Sequence, residues 1–132
     1  MGNKNILIIE DEADMIHRLI TELKKHYKVE IAGSVSAAKY LLNESGISFD
    51  LIFLDSIMPN YPYSVEETNG GLETGWVLYE KELRDKRIPI VVWTRHTAIF
   101  TKPWGGNVHY KEKKDGTNDN QLVDLAKKNI KL

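Results

Sequence analysis

DLIFLDSIMP, residues 50–59, is the stretch that decides the fold of this chain. Its positions 51–54 are all apolar, and an aspartate stands at each end of them. A run this short, apolar at every position, predicts a strand buried on both faces, because a helix needs ten residues or more. Asp55 therefore stands where a buried strand ends, and the turn signal Met58-Pro59 follows it.

Two similar runs lie before and after this one along the chain. Residues 6–9 read Ile-Leu-Ile-Ile and are followed at once by the acidic triplet 10–12. Residues 88–93 read Ile-Pro-Ile-Val-Val-Trp and are followed by Thr94. Both runs predict buried strands, since a proline is tolerated at the start of a strand.

The segments between these runs have the apolar spacing of helices. Helix-like spacing occurs at 15–23, 37–42, 77–83 and 122–130, and weaker strands are predicted at 29–32 and 108–113. Ser34 or Ser36 is expected to cap the second helix. The segment 97–106 is short and contains a proline and two glycines, so the fourth helix is expected to be short or missing.

Regular alternation of strands and helices predicts an α/β fold, a doubly wound five-stranded parallel sheet with helices on both faces. The 132 residues suit one domain, 1–132, with no separate output domain. The net charge of -1 gives no reason to expect nucleic acid or an anionic membrane as a partner. Cysteine is absent from the sequence, which excludes a disulfide framework and suits a reducing cytoplasm.

Side chains able to do chemistry cluster at the predicted carboxyl ends of the strands, where ligands bind in open parallel sheets. The set comprises Glu10, Asp11 and Glu12 after the first strand, Asp55 after the third, Thr94 at the end of the fourth, and Lys111 and Lys113 in the fifth. Crowded carboxylates need a counter-charge, which Mg²⁺ supplies while keeping waters and phosphate oxygens as further ligands. The Asp55 carboxylate is then a candidate nucleophile toward phosphorus, with a lysine and a hydroxyl to stabilise the transition state.

On these residues the chain resembles the receiver (CheY-like) domain of two-component response regulators. The matching segments are ILIIEDEA at 6–13, DLIFLDSIMP at 50–59 and IPIVVWT at 88–94. The resemblance extends over nearly the whole chain, and it implies a flavodoxin-like strand order 2-1-3-4-5.

The resemblance also implies a role for each residue of the site. Asp55 matches the phosphoacceptor. Glu10 and Asp11 match the acidic pair that binds Mg²⁺, with Asp11 as a direct ligand and Glu10 acting mostly through water. Ile57 would offer its backbone carbonyl to the metal, and Thr94 matches the hydroxyl that moves toward the phosphoryl group.

The lysine of the site ends the fifth strand in this family, commonly after an aromatic-x-x spacing. Tyr110 supplies that aromatic residue, so Lys113 is the expected site lysine. Lys111 has the same strand parity and is the alternative. Lys114 stands where the family prefers proline, which weakens the assignment.

Two further departures from the family pattern lie beside the site. The insert at 60–74 is either a tolerated surface loop or a lid or partner surface next to the acceptor. Tyr61 and Tyr63 are candidates for packing it against the domain. Arg95 replaces a usually small residue, and it could clamp phosphoryl oxygens, obstruct the donor or point to solvent.

The expected function is that of a phosphoacceptor in a histidine-to-aspartate phosphorelay, phosphorylated on Asp55 with Mg²⁺ and signalling by protein contact. The expected partners are a sensor histidine kinase or phosphotransfer protein and a downstream protein, with no nucleic acid and no membrane. The chain is not expected to be an enzyme, although it would assist its own phosphotransfer and dephosphorylation. The apolar Ile57 cannot orient an attacking water, which predicts slow dephosphorylation.

Two alternative functions use the same residues. A phosphatase with an aspartyl nucleophile normally needs a second aspartate two residues after the first, where Ile57 stands. A receiver-like interaction module that is never phosphorylated is consistent with Arg95 and the altered lysine region. That module gives no reason for the acidic pair, Asp55 and Thr94 to occur together.

Overall fold

Five parallel strands form the centre of the protein. The computed structural model describes residues 4–12, 16–113 and 119–130. The strands are β1 (Asn5–Ile9), β2 (Lys28–Ala32), β3 (Leu51–Leu54), β4 (Ile90–Thr94) and β5 (Val108–Glu112). They lie in the order β2-β1-β3-β4-β5 and every neighbouring pair is parallel, so the predicted doubly wound α/β sheet and its strand order are confirmed.

In the described part of the chain, four α-helices cover the strands. They are α1 (His17–Lys24), α2 (Val35–Asn43), α3 (Thr74–Leu78) and α4 (Asp119–Asn129). The third continues as a π-helical turn, Tyr79–Leu83, and a 3₁₀ turn, Arg84–Lys86. Among the described residues, no helix is long and apolar enough to cross a membrane.

Alternation along the central strands divides the core into two layers, because successive strand side chains point to opposite faces. Leu51 and Phe53 of β3 belong to the layer under α1 and α4. Ile52 and Leu54 belong to the opposite layer, under α2 and α3. All four are at most 1% exposed, as expected for a strand buried on both faces.

Ser34 is the N-cap of α2, and its Oγ accepts a hydrogen bond of 3.1 Å from the backbone N–H of Ala37. This bond satisfies one of the backbone donors left free at the start of the helix. Of the two predicted caps, Ser34 or Ser36, the structure selects the first.

The fourth connection contains a 3₁₀ helix of five residues, Thr97–Thr101, where the sequence predicts a short or missing helix. Aromatic packing covers the sheet beside it. Trp104 lies edge-on to Trp76 at 4.8 Å between ring centroids and 4.7 Å from Tyr79. Its indole N–H donates to the carbonyl of Ile99 at 2.9 Å, which ties the aromatic cluster to the shortened connection.

Candidate functional site

The carboxyl ends of β1, β3, β4 and β5 meet at one edge of the sheet. Ile9 pairs with Leu54, and the N–H of Asp55 donates to the carbonyl of Ile9 at 3.1 Å. This register places Glu10 and Asp55, the residues after the two strands, side by side. On the far side of β4, the N–H of Lys113 donates to the carbonyl of Thr94 at 2.8 Å.

Three polar side chains at this edge are almost completely removed from water. Glu10 is 3% exposed, Asp55 8% and Thr94 0%. Asp11, the next acid along the chain, is exposed. Buried carboxylates are costly unless they are paired or bind a metal, so Glu10 and Asp55 require a positive partner.

Lys113 supplies that partner in this structure. Its Nζ lies 2.5 Å from Oε1 of Glu10 and 3.2 Å from Oδ2 of Asp55, and its side chain is 15% exposed. The same ammonium lies 4.7 Å from the centre of the Trp93 ring, at cation–π distance. Three elements of the fold therefore surround one buried cation.

The charges of this cluster shift the pKa values of two of its members. Burial raises the pKa of Glu10 to about 7, and the adjacent Asp55 carboxylate adds to the rise, while Lys113 opposes it. Burial disfavours the charged form of Lys113, but Asp55 and Glu10 outweigh this effect and hold the pKa of its ammonium above the usual value. Burial and the neighbouring Asp55 carboxylate thus both favour the neutral form of the Glu10 carboxyl.

The structure brings Lys113 rather than Lys111 to the two buried carboxylates. Lys111 is paired in register with Trp93 and lines a groove between β5 and α4, together with Gln121 and Lys128. Lys114, which stands where the family prefers proline, lies outside the described residues.

The acidic residues form a donor set suited to a hard divalent cation. One carboxylate oxygen from each of Glu10, Asp11 and Asp55 lies within 4.8 Å of the other two. All three donors are oxygens, the ligands that Mg²⁺ prefers. Ile57 also reaches the site through its backbone, since its N–H donates to Oδ1 of Asp55 at 3.1 Å. The residues present therefore fit a magnesium ion.

The residues after β4 lie beside this cluster. Oγ1 of the buried Thr94 accepts a hydrogen bond of 3.3 Å from the backbone N–H of His96. Arg95 is exposed, and its Nη1 donates to the carbonyl of Lys113 at 3.4 Å. Arg95 thus lies along the rim of the site, against the backbone of β5.

The insert at 60–74 is tied to the turn that follows Asp55. Ser56 Oγ donates to the carbonyl of Leu72 at 2.6 Å, and Thr74 Oγ1 donates to the carbonyl of Met58 at 2.8 Å. Tyr63 packs against the core. Tyr61 is 76% exposed, so the prediction that it packs the insert down is wrong.

Sequence reasoning missed Glu73, Trp93 and His96 as residues around the site. Strand alternation gave no signal for Trp93, because it precedes Thr94 on a strand and is expected on the opposite face; its contact with Lys113 appears only in the folded sheet. The contact of Glu73 with His96 joins two loops, and no local pattern in the sequence indicates it.

No protein-family model matches the chain, and no curated protein matches it by sequence. Solved structures do match. A two-component response regulator from Clostridium difficile is 25% identical with a TM-score of 0.68, over 95% of this chain and 93% of that one. A CheY-like response regulator receiver domain protein from Methanospirillum hungatei JF-1 is 19% identical with a TM-score of 0.67, over 98% and 94%.

A third match is the response regulator TrrA from Thermotoga maritima, in a structure that contains Mg²⁺ and BeF. It is 24% identical with a TM-score of 0.64, over 95% of this chain and 97% of that one. The protein therefore has the CheY-like receiver fold of response regulators over nearly its whole length, as the resemblance in its sequence predicted.

Proposed function

We propose that this protein is a receiver that accepts a phosphoryl group on Asp55. The observation that carries the proposal is the buried pair of carboxylates, Glu10 and Asp55, bridged by the ammonium of Lys113 at the carboxyl edge of a receiver-like sheet. A cluster of buried, mutually perturbed ionisable groups in this position is typical of a functional site.

The reaction is a phosphoryl transfer in which a carboxylate oxygen of Asp55 attacks phosphorus. A new P–O bond forms to Asp55 while the P–N bond of a phosphohistidine, or the P–O bond of acetyl phosphate, breaks. The leaving imidazole or acetate takes the electron pair. In this proposal Lys113 and the Thr94 hydroxyl bind phosphoryl oxygens, which stabilises the transition state.

The proposed cofactor is Mg²⁺, held by Glu10, Asp11, Asp55 and the backbone carbonyl of Ile57. When bound, it neutralises charge on the phosphoryl oxygens. Asp11 is the exposed member of the set, so it can exchange a water molecule for the metal at the surface of the protein.

The proposed partners are a sensor histidine kinase or a phosphotransfer protein as donor, and a downstream protein as receiver of the signal. In this proposal the chain is not an enzyme, because Asp55 is consumed in each transfer until the phosphoryl group is lost. The proposed location is the cytoplasm, which suits a chain without cysteine.

The alternative is a receiver-like interaction module that is never phosphorylated. One observation favours it: the exposed Arg95 lies at the rim of the site, with its Nη1 on the carbonyl of Lys113, where its side chain would obstruct a phosphoryl donor. The two functions make opposite predictions about a phosphoryl adduct.

The deciding experiment is the intact mass of the protein after incubation with acetyl phosphate, with and without Mg²⁺. We expect an adduct of one phosphoryl group on wild type that requires Mg²⁺ and is absent from Asp55→Asn. Asp85→Asn, which changes an exposed aspartate in the turn Arg84–Lys86, is the matched control and should be modified like wild type. No adduct on folded wild type would support the interaction module.

Dephosphorylation provides a further prediction. Ile57 is half-buried and apolar, so it offers no hydrogen bond to orient a water molecule for attack on the phosphoryl group. We expect the adduct on wild type to persist for many minutes after the donor is removed, and Ile57→Asn to shorten its lifetime. A lifetime of seconds for wild type, followed by mass spectrometry, would contradict this.

A further inference from the structure

Glu73 joins the insert to the segment that follows Thr94. Its Oε2 lies 3.1 Å from Nε2 of His96, and its Oε1 lies 3.2 Å from Nζ of Lys102. The Glu73 side chain is only 15% exposed. Each carboxylate oxygen thus has its own partner, and both partners lie in the connection between β4 and β5.

The position of Glu73 is itself fixed by the turn that follows Asp55, called the acceptor turn from here on. The residues just before and after it, Leu72 and Thr74, hydrogen-bond to Ser56 and Met58, which follow Asp55 in the chain. The N–H of Glu73 donates to the carbonyl of Thr68 at 2.8 Å within the insert. Glu73 is therefore anchored to the turn that carries the phosphoacceptor.

The segment after β4, which Glu73 holds through His96, also contacts the Thr94 hydroxyl. The backbone N–H of His96 donates to Oγ1 of Thr94, so this oxygen acts as an acceptor. Within the described part of the chain, Thr94 Oγ1 donates to no group, so its hydrogen remains available to a phosphoryl oxygen. The bond from His96 thus occupies one lone pair of Thr94 Oγ1 and limits the directions in which its O–H can point.

We propose that Glu73 is a positioning residue for phosphoryl transfer to Asp55: by holding His96 and Lys102, it keeps the Thr94 hydroxyl oriented toward the phosphoryl site. The inference rests on the function proposed above and assigns the insert a role in it. The insert is then a brace between the acceptor turn and the Thr94 segment, instead of a passive surface loop or a lid.

The chemistry of the contact requires a carboxylate. Nε2 of His96 must carry a proton to donate to Glu73, and the Lys102 ammonium only donates, so both partners need acceptors. Lys102 is also held near the Trp76 ring, at 5.8 Å from its centre, which keeps it in place for the contact. Glutamine offers one acceptor oxygen and an NH₂ group, and the NH₂ group would face another donor. Glu73→Gln should therefore hold only one of the two partners, His96 or Lys102.

The test is the rate of adduct formation with acetyl phosphate at saturating Mg²⁺, on wild type, Glu73→Ala, Glu73→Gln and Thr94→Ala. We expect Glu73→Ala to slow adduct formation roughly tenfold. This factor lies toward the lower end of the fold-changes by which one site of a protein usually affects another. Glu73→Gln should lie between Glu73→Ala and wild type, and it replaces Glu73→Ala if that variant does not fold. Glu66→Ala removes an exposed acid of the same insert and should stay within about twofold of wild type.

The double variant Glu73→Ala/Thr94→Ala decides whether Glu73 acts through Thr94. We expect it to react at the rate of Thr94→Ala alone, because the group that Glu73 orients is gone. We also expect an unchanged affinity for Mg²⁺, measured by titration of tryptophan fluorescence. Additive rate losses, or a rate loss matched by an equal loss of Mg²⁺ affinity, would overturn the proposal.

The outcomes separate this inference from the proposed function. An adduct on wild type that forms equally fast on Glu73→Ala refutes the positioning role and leaves the phosphoacceptor role intact. The absence of any adduct on folded wild type refutes the phosphoacceptor role, and the positioning role fails with it.

Discussion

The ammonium of Lys113 lies between two carboxylates that the fold has removed from water. Taking one charge away from such a cluster leaves the others buried without compensation, which costs several kcal/mol. Lys113 and Lys111 both stand in or next to β5 and both satisfy the strand parity of the site lysine. They differ because Lys113 contacts the two buried carboxylates.

We expect Lys113→Met to lower the free energy of unfolding by about 3 kcal/mol at neutral pH without metal, because Glu10 and Asp55 lose their shared cation. Methionine keeps the length of the side chain, so the loss reports the charge. Urea unfolding measures it, and Lys111→Met is the matched control, with an expected change within about 0.5 kcal/mol. Equal losses of unfolding free energy in the two variants would show that the contact of Lys113 with the carboxylates does not stabilise the fold.

At the scale of elements, α3 begins against the backbone of the acceptor turn. Gly75, in its first turn, lies so close that an added Cβ would stand 2.2 Å from the carbonyl oxygen of Asp55. The N–H of Gly75 donates to the carbonyl of Ser56 at 3.0 Å. Only a residue without a side chain permits this approach of helix and turn.

Gly75→Ala should therefore destabilise the protein by about 3 kcal/mol, the upper end of the cost of overpacking, and should displace Asp55. Thermal unfolding and the Asp55 adduct rate measure the two effects. Gly106→Ala is the control, because a Cβ there meets no atom within 4 Å. A Gly75→Ala variant as stable and as reactive as wild type would contradict the packing argument.

The contact of Glu73 with His96 and Lys102 also predicts a dependence of stability on pH. Burial alone would raise the pKa of Glu73, but hydrogen bonds from His96 and Lys102 outweigh it and hold the pKa below the ordinary 4.5. A carboxyl whose pKa is lower in the folded state stabilises the fold above its unfolded pKa. That contribution is lost as the pH falls through the folded pKa.

We expect wild type to be more stable than Glu73→Gln near neutral pH, and the difference to shrink as the pH falls below 4.5. Urea unfolding at a series of pH values measures it. The same series on Glu66→Gln separates this effect from the titration of other acids. A difference between wild type and Glu73→Gln that stays constant down to strongly acid pH would contradict the assignment.

At the scale of the whole molecule, the proposed metal site links elements that are far apart in sequence. Glu10 and Asp11 follow β1, while Asp55 follows β3, and their oxygens converge only when the sheet is formed. A ligand that binds only the folded state stabilises it in proportion to the logarithm of its concentration.

Mg²⁺ should therefore raise the melting temperature of wild type, with a stabilisation of about 2.7 kcal/mol when it is present at 100 times its dissociation constant. Asp11→Asn removes the exposed ligand and should reduce the shift. Equal concentrations of sodium chloride, matched in ionic strength, control for screening. A melting temperature indifferent to Mg²⁺ would refute the proposed metal site.

Much of the fold could be predicted because its signals are local. The apolar runs at 6–9 and 51–54 match β1 and β3 within a residue, since a strand buried on both faces is apolar at every position. The strand predicted at 88–93 starts too early. β4 begins at Ile90, because the preceding Pro89 has no N–H to donate to a neighbouring strand.

The strand order could be predicted from the resemblance, and the convergence of Glu10, Asp55 and Thr94 from the common direction of parallel strands. The resemblance favoured Lys113 and left Lys111 as the alternative. The packed sheet shows that Lys113 reaches the carboxylates, since Lys113 and Glu10 are 103 positions apart and their contact depends on how the strands lie together. It also shows how the insert is held, because Glu73 contacts His96 across two loops. Such contacts are set by the distance between elements in space, which spacing along the chain does not encode.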